Sequence, residues 1–164
     1  MLGGATAILA LLPRVTVEPG APFEPSNPFS APFTIANTNF VPLEGVGVSV
    51  RFCDITFEPP EPPGPGTIKL RGTEDGKCNG TVGARGTITE WNHHRLGADE
   101  KYTISIGDWF NVTKGNRIIS ADISIVVSFY PWIAPFQRER HFRFITKAEA
   151  DGLLHWSARP VDSP

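Results

Sequence analysis

Between Phe29 and Phe52 apolar and polar residues alternate in two runs. Phe29, Ala31, Phe33 and Ile35 share one parity, with Ser30, Pro32 and Thr34 on the other; after Asn37-Thr38-Asn39, Val46, Val48, Val50 and Phe52 alternate with Gly45, Gly47, Ser49 and Arg51. A period of two places successive side chains on opposite faces of a sheet, so both runs read as half-buried strands. The link over 37–43, with two asparagines and Pro42, suits a turn or short loop between adjacent strands.

The pattern recurs along the chain. Arg14 to Glu18 reads as a first strand, Thr87 to Trp91 and Tyr102 to Ile106 as later ones. The longest run is Ile119 to Tyr130, with Ile119, Ala121, Ile123, Ile125, Val127 and Phe129 on one face and Asp122 and Tyr130 on the other. Arg138 to Thr146 is its expected antiparallel partner, with Phe142 and Phe144 inward and His141 and Arg143 outward. Lys147 to Gly152 reads as one helical turn and Leu153 to Ser157 as a last short strand. Seven to nine short strands with turns between them, and no helix long enough for a crossover, predict an antiparallel β-sandwich.

Composition sharpens this. Proline and glycine number 16 each in 164 residues, which fits a chain with many turns. The length suits one domain, divided here as an apolar segment 1–13, a sandwich over 14–158 and a tail 159–164. The net charge is −2 and the two signs are interspersed, so no basic stripe points to nucleic acid. Glu58 to Gly66 is proline-dense and is barred from a central strand, because proline donates no backbone hydrogen bond. It reads as a stiff surface loop; its P-x-x-P spacing lacks the neighbouring basic residue of a recognition peptide.

Residues 3–12 are uncharged and mostly apolar, but fall short of the roughly 20 residues needed to cross a bilayer. They also lack the positive n-region of a signal peptide. A buried or interfacial helix is one reading. The favoured one is the last turns of a membrane anchor, with Pro13-Arg14 as the exit into water.

Two cysteines, Cys53 and Cys78, are either free thiols or a bridge across the loop that follows Cys53. A bridge would close about 25 residues, worth about 3–4 kcal/mol in the chain-entropy model, and would require an oxidising compartment.

Candidate chemistry is sparse. His93-His94 are neighbours on a strand and would point to opposite faces, so they cannot chelate one metal. No G-x-S-x-G elbow and no calcium-loop ladder occur. No residue set argues for catalysis, a metal or a cofactor. Asp122 is placed to pair with Arg138, Arg140 or Arg143 across the sheet. The tryptophans Trp91, Trp109, Trp132 and Trp156, with Tyr102 and Tyr130, are the remaining binding material, Trp132 being notable for its place between two prolines. Asn79 and Asn111 head glycosylation-type triplets without further support.

Phe33-Thr-Ile-Ala-Asn37, Pro42-Leu43-x-x-Val46, Leu96-x-x-x-Glu100-Lys101-Tyr102 and Ala121-Asp122-Ile123 together resemble bacterial immunoglobulin-like domains of the CARDB-like kind. With Phe129-Tyr130-Pro131-Trp132 and Arg140-x-Phe142-Arg143-Phe144 added, the chain looks like a group of membrane-anchored proteins of unknown function. The resemblance spans most of 15–146 and implies an all-β, immunoglobulin-like antiparallel sandwich without catalytic residues. The expectation is a non-catalytic, extracytoplasmic module, periplasmic or at the cell surface. It would be held at a membrane by its N-terminal segment and would bind a protein through Trp132, Tyr130, Asp122 or Arg143. The alternative is a carbohydrate-binding module, which requires coplanar exposed aromatics.

Overall fold

The computed structural model describes residues 14–59, 67–71, 78, 91–107, 116–131 and 136–160, and of 70, 71 and 91–94 the backbone alone. The strands are β1 (Val15–Pro19), β2 (Pro32–Asn37), β3 (Leu43–Glu58), β4 (Ile68–Arg71), β5 (Trp91–Leu96), β6 (Lys101–Ser105), β7 (Arg117–Pro131), β8 (Arg138–Ala148) and β9 (Leu154–Arg159), with one 3₁₀ turn at Pro28–Ser30. Two antiparallel sheets result. One has the order β1-β2-β6; the other runs β4-β3-β7-β8-β9, with β5 also on β3. The first corresponds to strands A-B-E of an immunoglobulin-like sandwich, and β3-β7-β8 to C-F-G. Among the described residues no helix is long and apolar enough to cross a membrane. The segment 1–13 and most of the proline-dense loop lie outside the described residues.

Alternation builds the core. Phe29, Ala31, Phe33 and Ile35 are fully buried, as are Val46, Val48, Ile123, Ile125, Val127 and Phe129 from the facing sheet. Phe33 of β2 meets Phe144 of β8 edge-on at 5.2 Å between ring centroids, so the contact bridges the two sheets. Trp156 extends this contact from β9. Its ring lies 5.5 Å from that of Phe29 and 5.8 Å from that of Phe33. Its Nε1–H donates to the Pro28 carbonyl at 2.7 Å, which satisfies the one polar group of an otherwise apolar ring.

Three readings from alternation are corrected. The strands flanking residues 38–42 are not hydrogen-bonded neighbours, because β2 and β3 belong to different sheets. Either connection would turn both apolar faces toward one core, so alternation does not distinguish them; the pairing does, β2 lying between β1 and β6 while β3 pairs with β4, β5 and β7. Ile119 is exposed, with Ile118 buried in its place. A register shift between Thr56 and Phe57 gives β7 one extra residue there, and a bulge moves the parity by one. Residues 147–152 make a hairpin rather than a helical turn: β8 runs to Ala148, Gly152 takes φ 75°, and Glu149 N–H donates to Leu153 O at 3.0 Å.

The crossing is organised by Asn37, which is fully buried. Its Nδ2 donates to Val41 O at 2.8 Å and Gly97 O at 2.9 Å, with a longer contact to Leu96 O at 3.4 Å. Its Oδ1 accepts from Asn39 N at 3.2 Å, and its backbone N–H reaches Glu100 O at 3.0 Å. The Glu100 side chain accepts from Gly97 N–H. Two of the motifs that carry the family resemblance, Phe33–Asn37 and Leu96–Tyr102, are therefore halves of one hydrogen-bonded knot.

Candidate functional site

The outward face of the larger sheet carries the charge. Arg51, Ser124, Arg143 and Arg159 lie in one lateral row across β3, β7, β8 and β9. Asp122 takes Arg143 as its partner, in preference to Arg138 or Arg140. Arg143 Nε donates to Oδ1 at 2.9 Å and Nη2 to Oδ2 at 2.8 Å, and Arg159 Nη1 approaches the same carboxylate at 3.8 Å. The fork geometry fixes both side chains. Their exposures, 16% for Asp122 and 25% for Arg143, make this more than a solvated surface pair. Asp122→Ala is expected to cost about 2 kcal/mol, and a double-mutant cycle with Arg143→Ala should recover most of that as coupling energy.

A second carboxylate stands beside the first. Asp54 is opposite Asp122 in the β3–β7 register. Its Oδ2 takes Lys69 Nζ of β4 at 3.0 Å, while Oδ1 is buried with no hydrogen-bond partner among the described residues. Asp54 reaches this place because β3 shifts register between Phe52 and Asp54, which leaves Cys53 as the extra residue of a bulge. Cys53 is bonded to Cys78, so the disulfide ties a distant segment of chain to the charged face. The bridge spans 25 residues. Reducing it, or replacing both cysteines by serine, is expected to lower stability by about 3.5 kcal/mol, read as a shift in the urea midpoint with and without reductant.

Tyr130 is exposed near the C-terminal end of β7, against Gly45 of β3. Gly45 sits at φ +54° in a bulge, a backbone conformation that favours glycine, and a Cβ there would lie 3.0 Å from Tyr130 Cδ2, so the ring would have to shift slightly. Trp132 and Trp109 lie outside the described residues, as do the two glycosylation-type triplets. His93 and His94 are successive residues of β5. Trp156 is in the core. Tyr102 is half-buried against that core, and burial pushes its phenol well above the usual range. Among the described residues no group of three or more histidine, cysteine, aspartate or glutamate side chains is placed to hold a metal.

The β8–β9 turn holds an ion pair that alternation does not reveal. Asp151 Oδ1 accepts from Leu153 N–H at 2.9 Å, and Oδ2 meets His155 Nε2 at 2.8 Å. The backbone hydrogen bond and then the imidazole hold the Asp151 carboxyl below its ordinary 3.8. The hydrogen bond to Asp151 raises His155 above its ordinary 6.5. A raised histidine contributes fully below 6.5 and loses its contribution as pH climbs through the raised value. A depressed aspartate contributes fully above 3.8 and loses its contribution as pH falls through the lowered one. The pair is thus expected to support the hairpin most between about pH 4 and 6.5. The protection factor of the Leu153 amide, its exchange rate compared with the intrinsic rate at each pH, should be largest in that window, and His155→Gln should flatten the profile. Beside this turn a cleft of about 500 Å³ is lined by Pro25, Glu58, Arg117, Ile119, Leu153 and Leu154, among others.

No family model matches the chain, and no curated protein or solved structure gives a match. The CARDB-like resemblance therefore stands on the motif residues alone.

Proposed function

We propose that this chain is a non-catalytic, extracytoplasmic module, held at a membrane through residues 1–13, whose charged sheet face contacts a protein partner. The observation that carries the reading is the Cys53–Cys78 disulfide. Structural disulfides persist in oxidising compartments and are rare where thiols are kept reduced. This one is seated in a bulge of β3, the strand that also carries Arg51 and Asp54. The arginines at 51, 143 and 159, set beside Asp54 and Asp122, offer a mixed-charge surface suited to a complementary protein. Such charges give specificity and on-rate more than raw affinity. No nucleic acid is part of the reading.

The carbohydrate-binding alternative has less behind it. Trp156 serves the core, and one face of the exposed Phe136 ring is taken by the Arg138 guanidinium at 5.3 Å.

Thiol trapping tests the proposal. The full chain is produced in a bacterium and alkylated at lysis before any reductant is added. Both cysteines should resist modification until reduced. Free alkylation of both would remove the extracytoplasmic reading.

A further inference from the structure

Exposed apolar side chains occur at both ends of the sandwich, but only one end receives the N-terminal segment. Val15 is opposite Asn37 in the β1–β2 register, so residues 1–13 join the domain beside the β2–β3 crossing. The junction is fixed: the Arg14 carbonyl accepts from Thr38 N–H at 2.9 Å and from Thr38 Oγ1 at 3.2 Å. Phe40 follows two residues later and is 62% exposed. The β7–β8 connection is at this same end, since Leu43 is opposite Pro131 and Phe129 is opposite Arg138. It brings Tyr130, 41% exposed, and Phe136, 55% exposed. Arg138 caps the Phe136 ring, and Glu44 and Arg95 neutralise each other at 3.3 Å nearby. Phe23 and Ile119, also exposed, belong to the opposite end, beyond Pro19 and beside Phe57.

Two residues of chain span at most about 7 Å, so the Phe40 Cα lies within about that distance of Thr38. The headgroup zone on each side of a bilayer is about 5–8 Å thick, the difference between the hydrocarbon core and the whole membrane. If the chain leaves the hydrocarbon at Pro13-Arg14, Phe40 is within reach of the headgroup zone. Aromatic rings favour that zone, and cationic residues are drawn to anionic lipid there.

Resting on the reading that residues 1–13 are the membrane segment, we propose that the sandwich docks end-on against the bilayer. Phe40, Tyr130 and Phe136 are its interfacial contacts, with Arg14 and Arg138 at the headgroups. The arginine row on the sheet face and the cleft at the far end are then left open to solvent.

The test uses the full chain with phosphatidylcholine–phosphatidylglycerol vesicles in a 3:1 ratio, about the anionic content that draws basic residues to a membrane surface. Phe40→Trp and Phe23→Trp place a reporter at each end without disturbing the core. Wild-type emission is subtracted, and quenching by acyl-brominated lipid is read after flotation. The tryptophan at 40 should be quenched at least about twofold more than that at 23, as an interfacial ring would be. Flotation with neither reporter quenched, or with position 23 quenched more, would overturn end-on docking and leave the anchor standing. Failure to float would remove the anchor and the docking together. Shielding of position 40 from aqueous iodide before vesicles are added would show that residues 1–13 or a second copy cover this end, which also overturns the proposal.

Discussion

Replacing Trp156 by alanine is expected to cost about 4 kcal/mol, within the range for removing a large aromatic from a packed interior. The ring is 8% exposed and wedged against Phe29 and Phe33, so its loss opens a cavity between the sheets. It also removes one of the two donors to the Pro28 carbonyl, leaving the Ala31 N–H at 3.1 Å. Trp156→Phe separates the two contributions, because it keeps most of the ring contact and loses the hydrogen bond. That variant should cost about 1–2 kcal/mol. Urea unfolding followed by circular dichroism gives both numbers. β9 is the edge strand of its sheet, and edge strands are ordinarily the first to open. A cost below about 1 kcal/mol for the alanine variant would mean that β9 frays independently of the cooperative core.

Asn37→Ala should be as damaging, at about 3–4 kcal/mol, although it deletes few atoms. The amide holds Val41 O and Asn39 N–H in a buried place and Gly97 O in a part-buried one. Each buried polar group left unsatisfied costs about 1–3 kcal/mol. Asn37→Asp provides the control, since it preserves shape and exchanges the donating amide for an acceptor that faces carbonyl oxygens. Its penalty should exceed that of alanine at neutral pH and shrink as acid protonates the carboxyl. Equal penalties at pH 4 and pH 7 would contradict the assigned hydrogen-bond directions. Because the knot joins the β2–β3 crossing to the β5–β6 turn, the variants should also loosen Gly97 to Glu100 in amide exchange.

Strand faces were legible wherever alternation was unbroken. Phe33 and Ile35, or Ile123 and Ile125, announce their burial through parity alone, because a pleated strand has no other way to bury one face. Legibility failed where the backbone adds a residue. The bulge at Ile119 inverts parity locally, and nothing in the Arg-Ile-Ile-Ser sequence says which isoleucine will turn outward; the choice is made by pairing with β3. The pairing of β2 with β1 and β6 rather than with β3 was hidden for a related reason. Both kinds of connection use the same turn-forming residues and bury the same apolar faces, and the distinction lies in which strands pair, which is decided by partners distant in sequence. At the charged face, Asp122 was visible as an outward carboxylate beside several arginines. The selection of Arg143 depends on register, one residue of which would have chosen differently. Asp54 became its neighbour only through the bulge at Cys53. Trp156 shows the limit of reading function from residue type, since an aromatic in a short terminal strand looks equally suited to a ligand or a core.

The central proposal is that the domain stands outside the cytoplasm, held at a membrane. Protease accessibility of the tagged full chain in intact cells and spheroplasts tests it most directly. The account predicts protection in intact cells and digestion in spheroplasts for a periplasmic domain, or digestion in both for one at the cell surface. Protection in both, with digestion only after lysis, would contradict it, and the compartment argument from the disulfide would fall with it.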